Sequence, residues 1–174
     1  AGMKTLVIGD IHGYYRELND ALHNADYEEG DRLIFLGDYI DRGPRSREVM
    51  EFLVSLENRD NIFLRGNHEE YLIRALGGDT HAYGILADNG FISTLKDYGV
   101  DIKTLSYSTA GRHYVLRDGK QVLLDSRELP AFLKGVFPPE HLAFIENTRY
   151  YFETDPMFFS HAGAEPYIPL HEQR

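Results

Sequence analysis

Along the first half of the chain, short apolar runs alternate with stretches whose apolar residues recur at helical spacing. Leu6-Val7-Ile8, Leu33-Ile34-Phe35-Leu36 and Ile62-Phe63-Leu64 are compact runs, the pattern of strands covered on both faces. Between them, Leu18, Ala21, Leu22 and Ala25 fall at i, i+3, i+4 and i+7, and Val49, Phe52, Leu53 and Leu56 repeat that spacing. Both sets describe one apolar face of a helix. Ser46, shortly after Pro44, suits the N-cap of the second helix. A third helix is expected from near His68 to Leu76, stopping at Gly77-Gly78. The resulting β-α-β-α-β order predicts an α/β fold with a parallel sheet and right-handed crossovers.

The second half is less regular. Phe91 to Tyr98 reads as a short helix ended by Gly99. His113 to Leu116 and Gln121 to Leu124 flank a turn signal at Asp118-Gly119, which predicts a hairpin. Pro138 and Pro139 open a helix through about Ile145, and Tyr150-Tyr151-Phe152 and Met157-Phe158-Phe159 read as strands joined at Asp155-Pro156.

Composition narrows the class. The 174 residues match one ordinary domain, expected over 3–174, with Ala1-Gly2 ahead of Met3 resembling an expression scar. Hydrophobic residues at 43% and charged residues at 26% argue against a disordered chain. The absence of cysteine rules out disulfides, thiolate metal sites and cysteine nucleophiles. A formal charge of −10 argues against broad nucleic-acid binding or attachment to anionic membranes, both of which need basic surface. No stretch approaches the ~18 apolar residues of a membrane span, and the first residues carry no secretory pattern. A cytoplasmic location is expected.

Four polar clusters directly follow predicted strands. They are Gly9-Asp10-Ile11-His12-Gly13, Gly37-Asp38-Tyr39-Ile40-Asp41-Arg42-Gly43, Arg65-Gly66-Asn67-His68-Glu69 and Ser160-His161-Ala162-Gly163. In an open α/β sheet the carboxyl ends of the strands form the binding crevice, so these loops are expected to converge. Carboxylate, imidazole and amide oxygen suit manganese, iron or zinc. Asp10 and His12 would share one side of an extended segment. Asp38 can bridge two cations, since a carboxylate has two oxygens. Asp10, His12 and Asp38 would hold one, and Asp38, Asn67 and His161 the other. Two metals roughly 3.5–4 Å apart can clamp a phosphoryl group between attacking and leaving oxygens. The Gly-Asp-x-x-Asp-Arg-Gly string alone arises by chance in only ~10⁻⁴ of chains of this length, at roughly 5% usage per residue type.

With these motifs the chain resembles the calcineurin-like metallophosphoesterases, and within them the bacterial branch of the phosphoprotein phosphatase family, which includes Ser/Thr protein phosphatases and symmetrical diadenosine tetraphosphatases. The resemblance runs from Met3 to about Pro169 and is weakest between Gly77 and Phe137. It implies a four-layer β-sandwich flanked by helices, incomplete at its C-terminus in this chain. It implies metal ligation by Asp10, His12, Asp38, Asn67 and His161, with two divalent ions expected to be manganese and iron or zinc as alternatives. It assigns His68 as the general acid, held by Asp41, and Arg42 as the phosphate grip, with a metal-bridging hydroxide as nucleophile. The expected activity is hydrolysis of phosphomonoesters, first as a Ser/Thr protein phosphatase and alternatively as a diadenosine tetraphosphate hydrolase. The expected partner is thus a phosphorylated protein or a dinucleoside polyphosphate.

One departure stands out. Family members carry a further histidine, in a Gly-His-Thr setting, and an additional arginine after the position of His161, and this chain reaches Arg174 with neither. Three readings fit: a fragment, a short chain in which water, His171 or a neighbouring subunit fills the place, or a chain with a degenerate second site. The last reading carries a rival from another class, a non-catalytic phosphate-binding or regulatory module. His23, His81, His113, His141 and His171 fall outside the motifs and are expected at the surface or in structural roles. Arg45, Arg47 and Arg65 are expected to be structural rather than a second phosphate grip. Glu69 and Glu70 are expected only to offset a helix macrodipole.

Overall fold

Three of the apolar runs become the strands of one parallel sheet. In the computed structural model, which describes residues 3–101, 114–117, 120–125, 127–163 and 166–172, β1 (Thr5–Ile8), β2 (Arg32–Phe35) and β3 (Ile62–Phe63) lie in the order β1-β2-β3. Leu6 sits beside Leu33 and Ile34 beside Ile62, and a parallel bridge from Leu64 to Arg149 extends the third edge. The crossovers are α1 (Tyr15–Asn24) and α2 (Ser46–Ser55). The α/β class and the first five elements are as expected. Burial on both faces holds for β2 but not for β1, an edge strand whose Val7 is 49% exposed.

The helices α3 (Asn67–Leu76) and α5 (Phe91–Asp97) match the expected segments, and Gly99 takes φ +87° where a helix stop was foreseen. Two helices appear where none was expected. The first, α4 (Thr80–Asp88), starts two residues past Gly78 with the Asp79 carboxylate accepting from the Ala82 N–H. The second, α6 (Glu128–Val136), contains Pro130 and Gly135. Pro130 lies in the first turn, where a missing N–H leaves no intrahelical bond unmade. The pair β4 (Tyr114–Arg117) and β5 (Lys120–Leu123) is antiparallel as expected, and its turn residues 118 and 119 lie outside the described set. Last come α7 (Pro139–Asn147) and the hairpin of β6 (Tyr151–Thr154) and β7 (Met157–Ser160).

The core runs under the carboxyl ends of the strands. Phe35 stacks on Phe63, and Phe63 and Tyr39 each meet Phe144 of α7 edge-on, with centroids 5.0 and 5.8 Å apart. Aromatic pairs of this kind add stability beyond their buried area. A second group, Phe91, Tyr98 and Phe137, packs α5 against the chain near α6, so these aromatics of the middle region are core. No helix among the described residues is long and apolar enough to cross a membrane.

Candidate metal centre

The loop after β1 is laced to the loop after β2 by main-chain bonds. Ile11 and His12 both donate to the Asp38 carbonyl at 2.9 Å, Gly13 donates to Tyr39, and Gly43 donates back to His12 at 2.8 Å. His12, Asp38, Asp41 and Arg42 all take positive φ, between +47° and +77°. Such conformations cost energy in non-glycine residues and persist where the surroundings fix them. Asp10 and His12 therefore come together through a turn, not along an extended segment. Their side chains approach to 3.9 Å.

Glu69 fixes the third loop to the second. It is fully buried, and its two oxygens accept from the backbone N–H groups of Gly66, Asp38 and Tyr39 at 2.9–3.0 Å. The sequence reading gave it only a macrodipole role, and the structure corrects that. Burial, together with the Asp38 charge, raises its carboxyl to about 7 against the pull of those three donors. The N–H of His68, at the start of α3, donates to Asp38 Oδ1 at 3.1 Å. Gly66 makes this close approach possible, because a Cβ there would collide with the Asp38 carboxylate and main-chain nitrogen. The fourth loop is anchored by His161, whose Nδ1–H donates to the Leu36 carbonyl at 3.0 Å.

Asp10, His12 and His161 gather around Asp38, and Asn67 joins them through His161. On one side, His12 donates Nδ1–H to the Ile40 carbonyl at 2.9 Å, which leaves Nε2 as a bare lone pair. That Nε2 lies 3.5 Å from Asp38 Oδ2, and it is buried without a hydrogen-bond partner. On the other side, His161 Nε2 lies 3.4 Å from Asp38 Oδ2, 3.0 Å from Asn67 Oδ1, and its ring reaches Asp10 within 3.9 Å. One donor atom each from His12, Asp38 and His68, and from Asp10, Asp38 and His161, lie within 4.8 Å of one another.

Acceptor atoms converging this closely repel unless a positive centre sits among them. In the metal-free chain a proton takes that part: the bond to Asp38 outweighs burial and raises His161 to about 9. Burial would raise Asp38, but the bonds from His161 and the His68 N–H outweigh it and hold its carboxyl below the usual carboxylate range. The orphaned His12 lone pair and the oxygen-and-nitrogen donor set both fit divalent cations. A cation and the His161 proton would compete for the same place.

Beside the cluster, Asp41 is fully buried and its Oδ2 takes the Nδ1–H of His68 at 2.5 Å. Burial alone would lower the imidazole. The bond to Asp41 and the charges of Asp41, Asp38 and Glu69 outweigh it and leave His68 raised. Arg42 is exposed, and its guanidinium has no partner among the described residues. Arg45 and Arg47 pair with Glu48 and Glu51 at 3.1 and 2.9 Å. Arg65 bonds to Thr148, Glu70, Tyr150 and the Glu146 carbonyl. Arg65 is thus tied into the fold, while Arg45 and Arg47 make exposed ion pairs along α2. His141 is buried against Tyr98 at 2.7 Å, and His23 and His81 are exposed. His113 and the His171 side chain lie outside what is described.

Ser46 departs from expectation. It is the first residue of α2, not its cap, and its hydroxyl accepts from the Asp41 N–H at 3.1 Å. Thr94 of α5 bonds to the same aspartate and was not foreseen. No local pattern ties residue 94 to residue 41.

The model of the calcineurin-like phosphoesterases matches residues 3–164. The chain belongs to that family. A symmetrical bis(5'-nucleosyl)-tetraphosphatase of Coxiella burnetii is 31% identical over 163 residues, covering 82% of this chain and 52% of that protein. A provisionally named serine/threonine-protein phosphatase of Caenorhabditis elegans is 41% identical over 75 residues, 41% of this chain and 21% of that protein. The solved structure of a provisionally named diadenosine tetraphosphatase superposes with a TM-score of 0.55 at 18% identity, over 100% of this chain and 60% of that one, a likeness of fold. The chain spans about half the length of the tetraphosphatase it matches.

Proposed function

We propose that the chain is a metal-dependent phosphoric ester hydrolase acting on a symmetrical dinucleoside tetraphosphate. The observation that carries the chemistry is the crowding of donor atoms on both sides of Asp38: His12 Nε2 lies 3.5 Å from Asp38 Oδ2 and 3.9 Å from Asp10 Oδ2, and His161 Nε2 lies 3.4 Å from Asp38 Oδ2 and 3.0 Å from Asn67 Oδ1. Asp10, His12 and Asp38 would hold one divalent cation and Asp38, Asn67 and His161 the other. Manganese is the metal expected, within a donor set that iron and zinc also suit. Bound there, such cations activate water and offset the negative charge of a phosphoryl group.

The chain's own residues supply the rest. Arg42 presents an unpaired planar fork to the phosphate. Asp41 fixes the His68 tautomer by taking Nδ1–H, so the transferable proton sits on Nε2, the nitrogen turned away from Asp41. His68 delivers that proton to the leaving oxygen. What supports hydrolysis over the non-catalytic alternative is this aspartate–histidine pair, which a purely binding module does not need.

The substrate ranking reverses the expectation of a protein phosphatase, which rested on the short middle region and the lack of an obvious basic groove. The tetraphosphatase relative matches over 163 residues, whereas the phosphatase relative matches over 75. That shorter match keeps a protein phosphatase as the second reading. Rates on diadenosine tetraphosphate and on a phosphothreonine peptide, with manganese present, separate the two. Faster turnover of the dinucleotide is expected, and faster turnover of the peptide would reverse the ranking.

A further inference from the structure

We propose that Thr94, on α5 and outside all four motifs, is a positioning residue that clamps Asp41 and so aims His68. This rests on the acid role proposed above for His68. The Thr94 hydroxyl is fully buried and touches Asp41 twice: it lies 2.6 Å from Oδ1 and 2.9 Å from the backbone nitrogen. It also lies 3.1 Å from Ser46 Oγ.

The proton count fixes every direction. A hydroxyl has one proton to give and two lone pairs. The carboxylate oxygen accepts only, so Thr94 donates to Asp41 Oδ1. The Asp41 N–H donates only, so Thr94 accepts from it. The Ser46 hydroxyl must then donate to Thr94, while its own oxygen shares the Asp41 N–H at 3.1 Å. Each polar atom in this buried group is satisfied in a single arrangement, and a network of that kind is rigid.

The clamp meets a need. Asp41 takes φ +77°, and its carboxylate has no other support among the described residues besides His68 and Thr94. The rest of α5 grips the same loop. Gly90, its N-cap, accepts from the Arg42 N–H at 3.1 Å, Ser93 donates to the Gly43 carbonyl at 2.7 Å, and Asp97 accepts from the Arg47 N–H at 2.7 Å. Gly90 lies so close to Arg42 that a Cβ there would press on its backbone and Cγ. A short helix in the middle of the chain thus holds the loop carrying both Asp41 and Arg42.

The test compares Thr94→Val, which keeps the shape and removes the hydroxyl, with Thr94→Ser, which keeps the hydroxyl. Hydrolysis is measured on an alkyl phosphate, whose leaving oxygen needs a proton, and on p-nitrophenyl phosphate, which needs it far less. For T94V we expect kcat on the alkyl ester to fall roughly 10–100-fold, the range for partners that orient a functional side chain. KM, bound metal and the rate on p-nitrophenyl phosphate should change little, and T94S should restore the alkyl rate. In a Thr94→Val/His68→Asn double variant, the loss should not exceed that of H68N alone.

An equal loss on both esters, additive losses in the double variant, or no rescue by serine would overturn the proposal. So would failure of T94V to fold, judged by circular dichroism, because the hydroxyl would then serve the fold alone. If H68N itself shows no leaving-group dependence, the acid role of His68 falls and this inference with it.

Discussion

The two sides of Asp38 are built differently. On the inner side, His12, Asp41, His68 and Glu69 are all buried, and each is held by a named bond. On the outer side, Asn67 is exposed and His161 arrives from the far hairpin, while the Asp10 side chain, 56% exposed, stands 3.9 Å from both His12 and His161. The inner side is held by these bonds, with His12 Nε2 left buried and without a hydrogen-bond partner. The outer side has converging lone pairs whose mutual repulsion only a proton or a cation relieves. Preorganisation is thus unequal: the inner half is the more tightly held by folding.

The sharpest way to break this picture is Asp38→Asn. The amide keeps an oxygen for the His68 N–H, so the fold should survive, but the negative charge common to both sides is gone. Metal affinity and turnover should each fall by more than about 10²-fold, beyond the usual cost of losing an outer-shell partner. Equilibrium dialysis and phosphate release check this, and a variant close to wild type would remove Asp38 from the centre.

His68→Asn acts on the inner side alone. Metal content should be unchanged while kcat on a poor leaving group falls by about 10²–10⁴-fold, the range for a general acid. Loss of metal instead would make His68 a ligand, in line with its place near His12 and Asp38.

Gly66→Ala forces a methyl group against Asp38. Overpacking of this kind costs about 1–3 kcal/mol, so urea unfolding should show a lower midpoint. The accompanying loss of metal affinity should exceed what the stability loss alone gives.

The smallest effect sharpens the comparison from outside the centre. Asp31, like Glu69, is a carboxylate accepting backbone N–H bonds, from Lys4 and Glu28 at 2.8 and 2.9 Å. Its shift is opposite: the bonds from Glu28 and Lys4 lower it, aided by the Lys4 charge, whereas burial and the Asp38 charge raise Glu69. A depressed folded pKa contributes stability above the ordinary aspartate value of 3.8 and loses it as pH falls through the lower folded value. Asp31→Asn should therefore lower Tm slightly at neutral pH, with the difference narrowing below pH 3.8. A difference that stays constant into acid would contradict this.

Much of the centre was legible because it is written locally. Three of the four motifs follow the strands of the parallel sheet, whose carboxyl ends lie together, and the fourth follows β7 of a separate antiparallel hairpin. The roles of Glu69, Ser46 and Thr94 were not legible. Glu69 looks like an ordinary first-turn acid until the Asp38 and Tyr39 N–H groups arrive from 30 residues away. Ser46 stands where a cap belongs, and only the tertiary fold diverts its hydroxyl to Asp41. The helices α4 and α6 were hidden by glycine and proline. Asp79, a capping residue three before Ala82, was the signal for the first, and a first-turn proline is compatible with the second.

Crystals grown with manganese and measured for anomalous scattering test directly whether Asp38 lies between two cations. Two peaks are expected, both in contact with the Asp38 carboxylate, one beside His12 and one beside His161 and Asn67. A single peak, or two peaks of which either lies away from Asp38, would contradict that arrangement.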